Sequence, residues 1–274
     1  MLRLREATLV FGHRRVWSDL TLEVEPGEFV AVLGANGSGK TSLLRVILGQ
    51  QQLSSGSVTF DGMPVSRGNR RIGYVPQQRL AEDGTPVRAR DIIAFGLDGH
   101  RWGLPLPSRR RQRRIDSALA EVGAFDYGSV SVSTLSGGEQ QRLRIGQALV
   151  ADPDLVLCDE PLLSLDLDGQ RAVIELIDEQ RHRNIGVLFV THDVNPILGI
   201  VDRVLYLAQG EYCLGTPDEV FRSDVLSDLC GSPIEVIHSR GRIIIIGGLD
   251  GSQTDLDGGH SHHVRSPQPR GGLL

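Results

Sequence analysis

Cysteine is scarce in this chain of 274 residues and shows no pattern: Cys158, Cys213 and Cys230 are odd in number, far apart and without any C-x-x-C pair. That spacing fits reduced thiols better than a disulfide framework, and Cys158, inside an apolar run, reads as core. Long apolar runs are missing as well. No stretch approaches the roughly 18 apolar residues of a membrane span, and the N-terminus "MLRLREATLV" carries charges where a secretory signal needs an apolar core. The expectation is a soluble, cytoplasmic chain. An excess of positive charge is also absent: the formal net charge is -5, which argues against a protein that coats nucleic acid. Internal repeats are not evident. The 40% hydrophobic content is ordinary for a globular protein, and the length suits one large or two modest lobes.

What is present begins with alternation. Residues 2 to 33 give β-rich runs and turn signals, "TLEVE", "PGE" and "FVAVLG", so a strand runs into a glycine loop. From Lys40, "KTSLLRVILG" places Leu43, Leu44, Ile47 and Leu48 on one helical face, with Gly49 as the stop. The β-like pieces "SVTFDG" and "RIGYVPQ" follow. From about 85 to 151 the texture turns helical, which predicts a helical subdomain inserted into a sheet domain. Residues 154 to 246 return to buried strands alternating with helices and end on a hairpin, "IEVIHSRGRIIII". This alternation predicts an α/β fold with a largely parallel sheet covered on both faces. The stretch 247–274, rich in Gly, Ser, Asp, His and Pro, is expected to be a disordered tail.

The chemistry starts at "GANGSGKT", residues 34 to 41, a full match to G-x-x-x-x-G-K-[ST] set between a strand and an amphipathic helix. Gly34, Gly37 and Gly39 let the backbone curl so that successive NH groups face a phosphate, and the helix from Lys40 adds its positive end. Lys40 is placed to reach the β- and γ-phosphates of a nucleotide, and Thr41 to ligate magnesium. "LVLCDEP" is a buried strand ending in Asp159 and Glu160; the first is expected to hold Mg2+ through water, the second to take a proton from, or orient, an attacking water. "FVTHD" brings His192 to a strand end on the same sheet edge, although a lone histidine is often structural. "LSGGEQQR" offers Ser136, Gly137 and Gly138 at a second helix N-terminus, another phosphate site; S-x-x-E is equally an ordinary capping box between Ser136 and Glu139.

Taken together and in order, these motifs resemble the nucleotide-binding subunit of an ATP-binding cassette (ABC) transporter over about residues 2 to 246. The resemblance implies a P-loop NTPase fold of the ABC type, with a mainly parallel core, an antiparallel β subdomain and the inserted helical subdomain. It implies adenine stacking on Phe11, ATP held by the loop 34–42 including Asn36, Ser38 and Ser42, and Mg2+ on Thr41, Asp159 and the Q-loop Gln77. Glu160, His192 and Gln77 become the catalytic set, and Asp166 the D-loop aspartate. Each nucleotide would lie between the P-loop of one subunit and the signature segment at Ser136 to Gly138 of its partner, so a homodimer is implied. Permease subunits in the membrane, a site at its cytoplasmic face and, indirectly, an extracytoplasmic metal-binding protein follow from the same likeness; nucleic acid does not.

The run from "THDVNPILGIVDRVLYLAQG" to the terminal hairpin is most similar to ATPases of zinc and manganese importers and less so to those of iron-complex and cobalamin importers. An exporter ATPase and a non-transport ABC ATPase remain alternatives. Two departures from the family pattern stand out: Phe11 replaces the commoner tyrosine, and "LLSLD" has Leu163 where serine is frequent. The basic run "SRRRQRR", Arg109 to Arg114, reads first as a solvated helix start, then as a contact with a permease loop or anionic lipid, and third as a nucleic-acid contact. In the tail, His260, His262 and His263 near Asp255 and Asp257 offer donors for weak zinc or nickel binding, although a short disordered cluster lacks the second shell that fixes a metal site.

Overall fold

The structure is a computed structural model that describes residues 1–77, 87–99 and 108–247. The tail histidines and residues 85, 86 and 100–107 of the expected helical subdomain lie outside the described residues.

Two sheets enclose the first helix. Strands β1 (Leu2–Phe11), β2 (Arg14–Val24), β4 (Ser55–Phe60) and β5 (Met63–Pro64) form an antiparallel sheet in the order β2-β1-β4-β5. Strands β3 (Phe29–Gly34), β6 (Ile72–Val75), β7 (Leu155–Asp159), β8 (Gly186–Val190), β9 (Arg203–Ala208) and β10 (Glu211–Gly215) form the second, in the order β10-β9-β3-β8-β7-β6. All its pairings are parallel except β9 with β10. Every residue of β7 and β8 is buried, as expected of strands covered on both faces.

Because side chains alternate along a strand, this sheet feeds two separate cores. Phe29, Ala31 and Leu33 of β3 join one, with Val156, Cys158, Val187 and Phe189. Val30 and Val32 join the other, with Leu155, Leu157, Leu188 and Val190, the antiparallel sheet and helix α1 (Lys40–Ile47). On the first side lie α2 (Ala89–Asp98), α3 (Arg109–Glu121), α4 (Gly137–Leu149) and α5 (Leu167–His182). The short helices α6 (Pro217–Val220) and α7 (Ser223–Cys230) and the hairpin β11 (Ile234–Ser239) and β12 (Arg242–Gly247) share that core.

Helices α2 to α4 occupy the stretch expected to be a helical insertion, and α4 also packs on β6 and α5. The arginine run does start helix α3, but the reading of it as simply solvated needs correction. Arg111 pairs with Asp98 at 2.5 Å, and Arg114 donates to the Val150 carbonyl at 2.8 Å and pairs with Asp152. These bonds tie α3 to the ends of α2 and α4, because three elements closing on one corner leave carbonyls and carboxylates that only a long cationic side chain reaches. Arg109, Arg110 and Arg113 are exposed.

Candidate nucleotide site at the carboxyl edge of the sheet

The parallel strands deliver their carboxyl ends to one edge. There β3 leaves at Gly34, β7 at Asp159 and β8 at Val190, two residues before His192. Val75 of β6 is paired with Cys158, so the chain carrying Gln77 departs level with Asp159 and Glu160. Open α/β sheets bind ligands at such an edge.

The loop 34–39 is held in shape by its surroundings. Gly39 has φ +104 and caps α1 with no side-chain hydrogen bond; a Cβ there would collide with Val16 Cγ1 and come within 2.9 Å of the Trp17 indole. At Gly34, φ +140, a Cβ would run into the Leu207 carbonyl and lie 2.7 Å from Ser38 Oγ. Lys40 Nζ donates to the carbonyls of Gly34 at 2.6 Å and Ala35 at 3.1 Å, so the ammonium spans the curl. Asn36 and Thr41 are exposed and Ser42 is half-buried. Phe11 is 47% exposed and paired in register with Arg14, at the tip of the β1–β2 hairpin. Arg14 in turn donates from Nη2 to the Gly37 carbonyl at 2.7 Å, which hangs that tip over the loop. Sequence reasoning missed Arg14; its only signal is its position three residues after Phe11.

The end of β7 crowds two carboxylates, with Lys40 and Arg45 near enough to act on Asp159. Burial, and then the neighbouring charge of Glu160, push the Asp159 carboxyl above its ordinary range. Tyr74 of β6, also missed, donates to Asp159 Oδ2 at 3.4 Å, and its own hydroxyl is raised to about 12 by burial and by that carboxylate. Glu160 sits at φ 49, a region uncommon for a residue with a side chain. Its NH donates to the Val190 carbonyl at 3.0 Å. This turn aims the carboxylate at His192, whose Nδ1 lies 3.0 Å from Glu160 Oε2. His192 is 56% exposed and Glu160 13%.

The residues fit a nucleotide and a hard cation. Helix α1 has neither a side-chain cap nor an acidic residue in its first turn, so its NH groups are left for an anion. Ser38 Oγ is buried and has no hydrogen-bond partner among the described residues. Thr41, Gln77 and Asp159 offer only oxygen donors, the chemistry Mg2+ selects.

The second helix end is arranged differently. Ser136 Oγ accepts from the Glu139 NH at 3.3 Å and donates to Glu139 Oε2 at 2.8 Å, while the Ser136 NH donates to that same carboxylate oxygen at 2.8 Å. Of the two readings of S-x-x-E, the capping box is the one seen in this chain. Asp166 likewise caps α5, accepting from the Gly169 NH at 2.9 Å. Leu163 is 45% exposed.

The ABC transporter profile matches residues 17–163. The chain belongs to the ABC transporter family. Similar to this ABC protein is the zinc transport system ATP-binding protein TroB of Treponema pallidum (strain Nichols), 34% identical over 202 residues, which make up 74% of this chain and 76% of that one. The manganese transport system ATP-binding protein MntB of Bacillus subtilis (strain 168) is 30% identical over 237 residues, covering 86% and 95%. Among solved structures, cbiO1 of Clostridium perfringens, part of the ABC transporter complex cbiONQ, superposes with a TM-score of 0.71 at 25% identity, over 83% of this chain and 92% of that one. As a member of the family the chain binds and hydrolyses ATP. Among the described residues no helix is long and apolar enough to cross a membrane.

Proposed function

We propose that this ATPase powers import of a divalent metal cation, zinc or manganese, through separate permease subunits at the cytoplasmic face of the membrane. The observation that carries the catalytic part is the Glu160–His192 contact at 3.0 Å on the edge that also bears the P-loop. The metal class rests on the two relatives named for zinc and manganese transport. An extracytoplasmic metal-binding protein would supply the cargo to the permease.

Phe11 stacks on adenine, and the NH groups of 37–41, with Asn36, Ser38 and Ser42 around them, hold the phosphates. Lys40 shifts from its two carbonyl partners toward the β- and γ-phosphates. Thr41, Gln77 and Asp159 would hold Mg2+, which when bound would offset charge on the phosphate oxygens and on the crowded carboxylates. Glu160 takes the proton of the water that attacks the γ-phosphorus, the bond from that phosphorus to the bridging oxygen breaks with its electron pair passing to ADP, and ADP and inorganic phosphate depart while Glu160 returns the proton to phosphate or solvent. His192 fixes the Glu160 carboxylate and reaches the γ-phosphate. Ser136, Gly137 and Gly138 of a second copy close the pocket, with Asp166 at the same interface, so the working unit is a homodimer.

Glu160→Gln tests the assignment. Steady-state hydrolysis falls at least about a hundredfold while ATP still binds, since only the chemical step loses a group. Near-normal turnover would reassign the base. For transport, cysteines placed in α2 are expected to crosslink to the permease, and crosslinks confined to the β11–β12 hairpin would contradict the docking.

A further inference from the structure

The residues that follow His192 are bonded to one another and to the C-terminal hairpin. Asp193 NH donates to Thr191 Oγ1 at 3.2 Å, and Thr191 Oγ1 donates to the Asp193 carbonyl at 2.9 Å. The Thr191 NH is pinned to the Val32 carbonyl of β3 at 3.1 Å. Asp193 Oδ1 accepts from both the backbone NH and the side-chain Nδ2 of Asn195, each at 2.9 Å. The same Asn195 amide then takes the place of a strand neighbour. Nδ2 donates to the Ile243 carbonyl at 2.9 Å, and Oδ1 accepts from the Ile243 NH at 2.8 Å. This pair fixes which way the amide faces, and its two protons and its oxygen are all engaged.

The anchor on the far side is firm. Ile243 is 6% exposed and shares a core with Val194, Ile197, Ile234 and Phe221. Strand β11 is tied to α7 by the Ile234 NH on Ser227 Oγ at 2.9 Å and the Val236 NH on Ser223 Oγ at 2.9 Å, and His238 Nε2 reaches the Phe221 carbonyl at 3.0 Å. The His192 imidazole, in contrast, is bonded among the described residues to Glu160 alone and is more than half exposed. Its direction is therefore set by the backbone on either side, and on the C-terminal side that backbone is held by Asn195 against β12.

We propose that Asn195 is a positioning residue for His192, and that through it the C-terminal hairpin forms part of the hydrolytic site. The inference rests on the reading of His192 and Glu160 as the hydrolytic pair. It makes turnover, and not nucleotide affinity, sensitive to how the hairpin is seated, because the side-chain hydrogen bonds of Asn195 among the described residues go to Asp193 and Ile243, outside the P-loop and the Phe11 tip.

The test is single-turnover and steady-state hydrolysis of labelled ATP by the full chain carrying Asn195→Ala, Asn195→Asp, His192→Ala, or Asn195→Ala with His192→Ala. Asn195→Asp is isosteric, keeps the acceptor for the Ile243 NH, and loses both donations while facing the Asp193 carboxylate. Both single Asn195 variants are expected to lose about tenfold in kcat with KM for ATP within about twofold of the parent, as for a misplaced reacting group. The double variant is expected to turn over at the rate of His192→Ala alone, since one path cannot be cut twice. Wild-type kcat in both Asn195 variants, a loss that falls on KM, or losses that multiply in the double variant would overturn the inference. Unchanged turnover in His192→Ala would instead overturn the underlying assignment of His192.

Discussion

Helices α1 and α4 both begin on glycine-rich turns, and their first turns are treated in opposite ways. At α1 the cap is Gly39 in the left-handed region, with no side-chain acceptor and no acidic residue behind it. The turn is instead shaped from outside by Val16, Trp17, Arg14 and the Lys40 ammonium. At α4 the helix satisfies itself: Ser136 and Glu139 exchange hydrogen bonds, and Glu139 supplies negative charge where the helix dipole favours it. A Cβ at Gly137 or Gly138 would find its nearest neighbour 3.9 Å away, so no packing inside the chain requires glycine there. In the proposed function, the end that is shaped but left open is one half of a phosphate site, and the end that is self-capped and exposed is the half that a second copy of the chain would complete.

Substituting the glycines separates the two ends most sharply. Gly39→Ala forces a Cβ into Val16 and Trp17 at a backbone angle that disfavours it; a loss of about 2–4 kcal/mol is expected from the strain and the overpacking together. Thermal melting of the nucleotide-free chain would register it, along with loss of ATP binding. Gly137→Ala should leave that melting unchanged or slightly raised, because α4 accepts alanine more readily than glycine, while ATP hydrolysis falls. Equal destabilisation by both substitutions would erase the distinction. Ser136→Ala, which removes a cap, is expected to cost about 1 kcal/mol by denaturant unfolding. The smallest effect is that of Glu139. Hydrogen bonds from the Ser136 NH and hydroxyl hold its carboxyl below its ordinary 4.5. A depressed folded-state value means the stabilisation is complete above pH 4.5 and fades as pH falls through the lower folded value. The melting difference between the parent and Glu139→Gln should therefore be constant from pH 7 to 5 and shrink below pH 4; a difference that grows toward acid would reverse the sign.

Much of this was legible in the linear sequence, for local reasons. "FVAVL", "LVLCD" and "GVLFV" are continuous apolar runs of strand length, and they became β3, β7 and β8 with both faces covered. The glycines of "GANGSGKT" sit at positive φ where a loop must turn and let other chain segments approach. The terminal hairpin was readable from two β-rich runs around "RG". Contacts between distant segments were not readable. Arg14 meets the Gly37 carbonyl across 23 residues, and Asn195 meets Ile243 across 48, each by a side chain on a main-chain group that carries no residue-type signal. The partial pairing of the arginine run escaped for the same reason, since Asp98, Val150 and Asp152 come near it only once three helices converge. Whether S-x-x-E caps its own helix or receives a phosphate is a matter of which partner is present, and a single chain shows the cap.

The open end of α1 and the self-capped end of α4 are proposed to meet across two copies of the chain. A mixed dimer of one Lys40→Ala chain and one Ser136→Arg chain, each also Glu160→Gln to block turnover and each with its own purification tag, tests this directly. If the two ends meet in trans, one composite site carries both lesions and the other carries neither. The measurement is ATP occluded per dimer, with folding and dimerisation checked for every species. About one ATP is expected in the mixed dimer and almost none in either homodimer, where every site carries one lesion, since phosphate positioning at helix ends needs both halves. Equal failure of the mixed dimer and both homodimers, all folded and dimeric, would contradict the trans arrangement.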